Sequence, residues 1–140
     1  MGAVTALTMA SAASAVSPWM VFFEPGSARI ESRYDDTLDN IVTSFRAAKI
    51  QGLIVQGHTD RVGTSGANQL LSRRRAEAIK AALVARGLAA GAIQVEAMGE
   101  EQRLVDTPDG VEEAENRRAA IIITCLDDPD PNFGYMQCAK

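Results

Sequence analysis

Residues 53–86 read LIVQGHTDRVGTSGANQLLSRRRAEAIKAALVAR, and this stretch decides the fold class. Leu53-Ile54-Val55-Gln56-Gly57 is a short, partly β-branched apolar run, which predicts a central strand. His58 to Gly66 is a glycine-containing loop. From about Ala67 to Arg86 the pattern is helical, and Gly87 suits the position just past a helix C-terminus. A strand leading through a loop into a helix is the first half of a crossover unit.

The helix carries the most informative residue. Asn68, Leu71, Arg75, Ile79, Ala82 and Leu83 fall at helical spacing and share one face. Leu71, Ile79 and Leu83 make it the core-facing stripe, with Arg75 in its middle. An arginine keeps its charge and is costly to bury unpaired. Two readings are open. The stem packs at the core edge and the head reaches water, or the guanidinium meets a fixed carboxylate near the helix start. Asp60 is the candidate carboxylate, because it follows the strand and sits where open α/β sheets bind ligands. Arg73 and Arg74 are expected to point away into solvent.

The flanking segments complete the pattern. Val21-Phe22-Phe23 predicts a first strand and Glu24-Pro25-Gly26-Ser27 a turn. Ile30, Tyr34, Leu38, Ile41 and Phe45 predict a helix over about 30–48, with Glu31, Asp35 and Asp36 early and Arg46 and Lys49 late, as the helix dipole favours. Ile93 to Met98 alternates as a third strand. Gly99 to Glu115 is a polar loop in which Glu112, Glu113 and Glu115 read as a solvated stretch. Arg117 to Cys125 is a fourth strand. The order β-α-β-α-β-β predicts an α/β sandwich of two helices on a four-stranded mixed sheet.

Composition sets further bounds. The chain has 140 residues, 46% hydrophobic and 23% charged, with a formal net charge of -4. That is one ordinary globular domain, and the acidic balance argues against nucleic acid as a partner. Ala3 to Ala15 is apolar and ends Ala13-Ser14-Ala15, in the A-x-A form of a signal-peptidase site. The run is short and no basic residue precedes it, so residues 1–17 read as a leader or signal-peptide remnant. Residues 18–125 form the domain and 126–140 an irregular tail. No stretch is long and apolar enough to span a bilayer. Cys125 and Cys138 are too far apart for a C-x-x-C motif, and with His58 the only histidine no metal or other cofactor is expected. The pair reads either as free thiols or as a disulfide, which requires an oxidising compartment. His58 reads as a loop-edge residue with no nucleophile beside it.

Gly57-His58-Thr59-Asp60, Gly63, Asn68, Leu71-Ser72, Arg75-Ala76 and Asn116-Arg117-Arg118, in this order on the strand-loop-helix frame, resemble the motifs of OmpA-like peptidoglycan-binding domains. That family includes the peptidoglycan-associated lipoproteins and the C-terminal domain of flagellar stator proteins. The resemblance runs from about Val21 to Thr124. It implies a β-α-β-α-β-β sandwich and a ligand, the meso-diaminopimelate of the peptidoglycan stem peptide. It places the ligand-binding aspartate on Asp60, the arginine on Arg75 and supporting groups on Thr59, Asn68, Arg117 and Arg118. Ala119-Ala120 departs from the family's bulkier residues, and Gly99 lacks the proline that commonly follows it.

Three functions follow as expectations. The first is a non-catalytic module that anchors an outer membrane or envelope complex to the cell wall, in the periplasm. The second is an interaction domain on the same fold, with an envelope protein or a second copy of the chain as partner. The third is a small enzyme acting on wall fragments, which no nucleophile–base pair supports.

Overall fold

The computed structural model describes residues 19–126 and 136–137. The expected leader at 1–17 and the greater part of the expected tail lie outside the described residues. The strands are β1 (Trp19–Phe22), β2 (Ile50–Gly57), β3 (Ile93–Ala97), β4 (Arg118–Leu126) and β5 (Met136–Gln137), and the helices are α1 (Asp35–Ala47) and α2 (Ser65–Ala85). The sheet order is β1-β4-β2-β3, with β5 also pairing β4. β2 and β3 are parallel, whereas β4 runs antiparallel to both β1 and β2. This is the expected architecture of two helices on a mixed sheet.

The two helices cover one face of that sheet. Leu53 and Val55 of β2, Ile121 of β4 and Ile93 of β3 are buried with Leu38 and Ile41 of α1 and Ile79 and Leu83 of α2. Register brings the strand residues together, since Leu53 faces Ile123 and Ile93, and Val55 faces Ile121 and Val95. The alternate residues Ile54 and Gln56 are only half-buried, because among the described residues no helix lies over the other face. Fully burying each aliphatic side chain contributes about 1.5–3 kcal/mol, so this cluster carries most of the hydrophobic stabilisation.

Element ends differ from the sequence expectation for local reasons. α1 begins at Asp35 rather than near Ile30, because Ser32–Tyr34 forms a separate 3-10 turn ahead of it. α2 begins two residues before Ala67, since Thr64 caps it by accepting a hydrogen bond from the Ala67 amide at 3.1 Å. The tail is not wholly irregular, because Met136–Gln137 pairs in parallel with Cys125 and Leu126. Cys125 is disulfide-bonded. Cys138, the expected partner, lies outside the described residues.

One close approach fixes α2 against the sheet. A Cβ at Gly57 would overlap the backbone carbonyl of Ser72. The Ser72 hydroxyl accepts a hydrogen bond from the Gly99 amide at 2.9 Å and donates one to the Gln69 carbonyl at 2.8 Å. The middle of α2 therefore rests directly on the end of β2 and is bolted to the end of β3. Gly57→Ala is expected to destabilise the domain by about 3 kcal/mol, as overpacking against rigid backbone does. An unchanged midpoint in urea unfolding would show that α2 has room to lift.

Candidate functional site

The C-terminal end of β2 runs into a loop, 58–64, that turns back into α2. The turn after β1 and the loop 99–116 close around it. Together they form a cleft of about 300 Å³, lined by Pro25, Gly26, Asp60, Val62, Gly63, Ala67, Asn68, Leu71, Arg74, Arg75 and Glu112. The cleft thus joins Asp60, Asn68 and Arg75, three of the residues expected from sequence. Thr59, Arg117 and Arg118 are not among its lining residues. Arg74, expected in open solvent, and Glu112, expected in a plain solvated loop, both line it.

Arg75 follows neither of the two ways its position left open. It is 0% exposed, so its head does not reach water. Its partners are backbone carbonyls: Nε donates to Ser27 at 2.8 Å, Nη1 to His58 at 2.9 Å and Nη2 to Glu24 at 3.1 Å. The guanidinium also lies 5.2 Å from the Phe23 ring centroid, within cation–π range. Burial pushes its pKa down to about 10, Asp60 raises it and Arg117 lowers it further, so it stays charged at neutral pH. Arg75 therefore ties the turn after β1, the end of β2 and α2 into one body. One N–H on each of Nη1 and Nη2 is not used by these bonds.

Asp60 is buried and held from three sides. Oδ1 accepts from the Val62 amide at 3.2 Å, and Oδ2 accepts from the Glu113 amide at 3.3 Å and from Arg117 Nη1 at 3.2 Å. Its direct ion-pair partner is Arg117, and its interaction with Arg75 is through space. Arg117 is held in turn by donating Nε to the Phe23 carbonyl at 3.0 Å. Asn68 donates to the Asp60 carbonyl at 3.3 Å and to Glu100 Oε1 at 3.1 Å. That bond, with those from Arg61, lowers the Glu100 pKa. Thr59 is buried behind the loop, where its hydroxyl donates to the Asp60 carbonyl at 2.8 Å and its amide bonds Gly99 at 2.8 Å.

The 99–116 loop is pinned by Asn116, whose role the motif alone did not give. Its side-chain oxygen accepts from the Leu104 and Val105 amides at 2.8 and 2.9 Å, and its Nδ2 donates to the Val105 carbonyl at 2.8 Å. Folding the loop back this way brings Glu112 to the cleft and the Glu113 amide to Asp60.

Arg118 goes elsewhere. Neighbouring residues of an extended chain point to opposite sides, so Arg117 faces Asp60 while Arg118 packs toward Gln102 and His58. Among the described residues its one side-chain hydrogen bond is from Nη2 to the Gln102 carbonyl at 3.4 Å, and burial lowers its pKa. His58 is buried beside it. Burial first, and then the Arg118 charge, push the imidazole down to about 4, against a small opposing effect of the Gln102 backbone.

A helix-covered mixed sheet with a charge-lined cleft at its strand ends is the architecture of a small ligand-binding domain. Residues 22–117 match the OmpA family, and the chain belongs to it. It is 35% identical over 103 residues to the outer-membrane lipoprotein YfiB of Pseudomonas aeruginosa, covering 74% of this chain and 61% of that protein. It is 35% identical over 101 residues to the peptidoglycan-associated lipoprotein of Pasteurella multocida, covering 72% of this chain and 67% of that one. The match to outer membrane protein A of Bordetella avium covers 53% of that protein, so the chain spans about half to two thirds of these curated relatives. The crystal structure of the peptidoglycan-associated lipoprotein from Burkholderia pseudomallei superposes with a TM-score of 0.68 at 28% identity, over 74% of this chain and 87% of that one. Among the described residues no helix is long and apolar enough to cross a membrane, and no group of side chains is arranged to hold a metal ion.

The buried imidazole gives the domain an acid sensitivity of known sign. The folded pKa of about 4 lies below the ordinary imidazole value of 6.5, so the unfolded chain binds the proton more readily. The stability due to neutral His58 is complete above about pH 6.5 and is lost as pH falls toward 4, by up to about 3 kcal/mol. Glu100, also lowered, adds a loss in the same direction at the acid end. Chemical unfolding of the parent and of His58→Asn between pH 7 and 4 is expected to show a shallower decline in the variant. Parallel profiles would mean that the His58 imidazole titrates alike in the folded and unfolded chain.

Proposed function

We propose that the domain binds peptidoglycan through the diaminopimelate of the stem peptide and so anchors an envelope component to the cell wall, in the periplasm or at the outer membrane. The observation that carries the reading is the joining of Asp60 and Arg75 at one cleft, supported by the family and by the names of the relatives. The free end of diaminopimelate carries an ammonium and a carboxylate on one carbon. Asp60 accepts from the ammonium. Arg75, buried in the wall of the cleft, sets a fixed positive charge behind the carboxylate. Asn68 completes the rim, while Arg117 and Thr59 hold Asp60 and its loop from behind. Arg118 supports the wall of the loop rather than the ligand. The reading assigns binding without turnover, in keeping with the family.

A charge-assisted contact of this kind contributes roughly 1.5–3 kcal/mol, or about tenfold to a hundredfold in affinity. Asp60→Asn keeps the size of the side chain and is expected to lose co-sedimentation with insoluble sacculi by that factor, with its circular dichroism unchanged. Arg75→Ala removes three backbone anchors and is expected to lose stability by about 3 kcal/mol or more, so it is read together with unfolding data. A folded Asp60→Asn that still sediments like the parent removes the function proposed for the cleft.

The ligand side offers a test that leaves the protein intact. Sacculi with lysine in place of diaminopimelate lack the terminal carboxylate, and binding to them is expected to be weaker by about tenfold or more. Equal binding to the two wall types would take Arg75 out of contact with the ligand.

A further inference from the structure

We propose that Arg74 binds a second carboxylate of the stem peptide, one on a residue bonded directly to the diaminopimelate. The inference rests on the function proposed above and adds a subsite to it.

Arg74 lines the cleft and is exposed. Every other charged group there is at least partly engaged. Arg75 is bound to three carbonyls and Asp60 to Arg117 and two amides. Glu112 lies 3.9 Å from Arg117. Among the described residues, Arg74 alone of the cleft's charges has no hydrogen-bond or ion-pair partner. Its fork is open at the mouth.

The charge balance points to the same ligand chemistry. The lining itself balances, Arg74 and Arg75 against Asp60 and Glu112. Both carboxylates, however, lie against Arg117, Asp60 at 3.2 Å and Glu112 at 3.9 Å, which leaves Arg74 without an anion of its own. The zwitterionic end of diaminopimelate is itself neutral and brings Arg74 none. One more carboxylate supplies it.

Size sets where that carboxylate lies. A cleft of about 300 Å³ is at the small end of ligand sites, too small to enclose a whole stem tetrapeptide. The residues flanking the diaminopimelate must then lie at the mouth, beside Arg74. The stem offers carboxylates on both sides there: the α-carboxylate of the γ-linked isoglutamate before it, and the C-terminal carboxylate of the alanine after it. Either supplies the same chemistry, a planar anion that a guanidinium can fork.

The test uses the stem tetrapeptide alanine–isoglutamate–diaminopimelate–alanine and two versions of it, amidated at the isoglutamate or at the C-terminus. Binding to the parent protein, Arg74→Gln and Arg74→Lys is measured by titration calorimetry in low salt. One amidation is expected to weaken binding to the parent by about twofold to fivefold, the range of a partly exposed ion pair, and to have no effect on Arg74→Gln. Arg74→Lys is expected to recover part of the loss, and the difference is expected to shrink in high salt. The amidation that matters identifies the carboxylate. Amidations that leave the parent unchanged, or weaken parent and Arg74→Gln alike, overturn the proposal. So does an Arg74 effect that vanishes when lysine replaces diaminopimelate, because Arg74 would then read the diaminopimelate itself. These outcomes leave the main site standing, whereas a parent that binds none of the peptides removes both readings.

Discussion

A permanent positive charge lies where water does not reach, and the cleft is built around it. Arg75 sits on the core-facing stripe of α2 with its guanidinium bonded to the carbonyls of Glu24, Ser27 and His58. Leaving such a group unpaired would cost several kcal/mol. The chain therefore has to bring three separate carbonyls to it, from the turn after β1 and from the end of β2. Those segments are the walls of the cleft. The same bonds that make the burial tolerable also fix the shape of the site.

The second charge is held by a different device. Asp60 is clamped by two amides and by Arg117, and Arg117 is aimed by the Phe23 carbonyl. The Glu113 amide reaches Asp60 only because Asn116 folds the 99–116 loop back on itself. Two opposite charges are thus fixed near one another without forming a direct ion pair. Asp60 takes Arg117 as its ion-pair partner and Arg75 takes neutral carbonyls, so each side chain is fixed at the cleft by a different set of bonds.

Much of this was legible in sequence, and the reasons are specific. The period of Leu71, Ile79 and Leu83 placed Arg75 on the buried face, and the position of Asp60 just after β2 put it at the end of the sheet. The motif order named the family. Periodicity could not say that Arg75 would find carbonyls instead of a carboxylate, because backbone acceptors leave no mark in side-chain identity. Nor could it separate Arg117 from Arg118, since which of two neighbours faces the cleft depends on the strand's register. Arg74 points away from the apolar stripe of its helix and Glu112 lies in an acidic loop, patterns that predict solvent for both; only the fold shows that the two positions border the same cleft.

The sequence by itself determined the element order, the family and the two charges on which the site turns, because patterning and motif spacing are local properties of the chain. The tertiary structure decided what holds those charges. It set Gly57 against the Ser72 carbonyl, gave Asp60 to Arg117 and Arg75 to three carbonyls, and left Arg74 open at the mouth. These are contacts between residues far apart in sequence, and their partners are mostly backbone atoms that every residue possesses. Position in space alone selects among them.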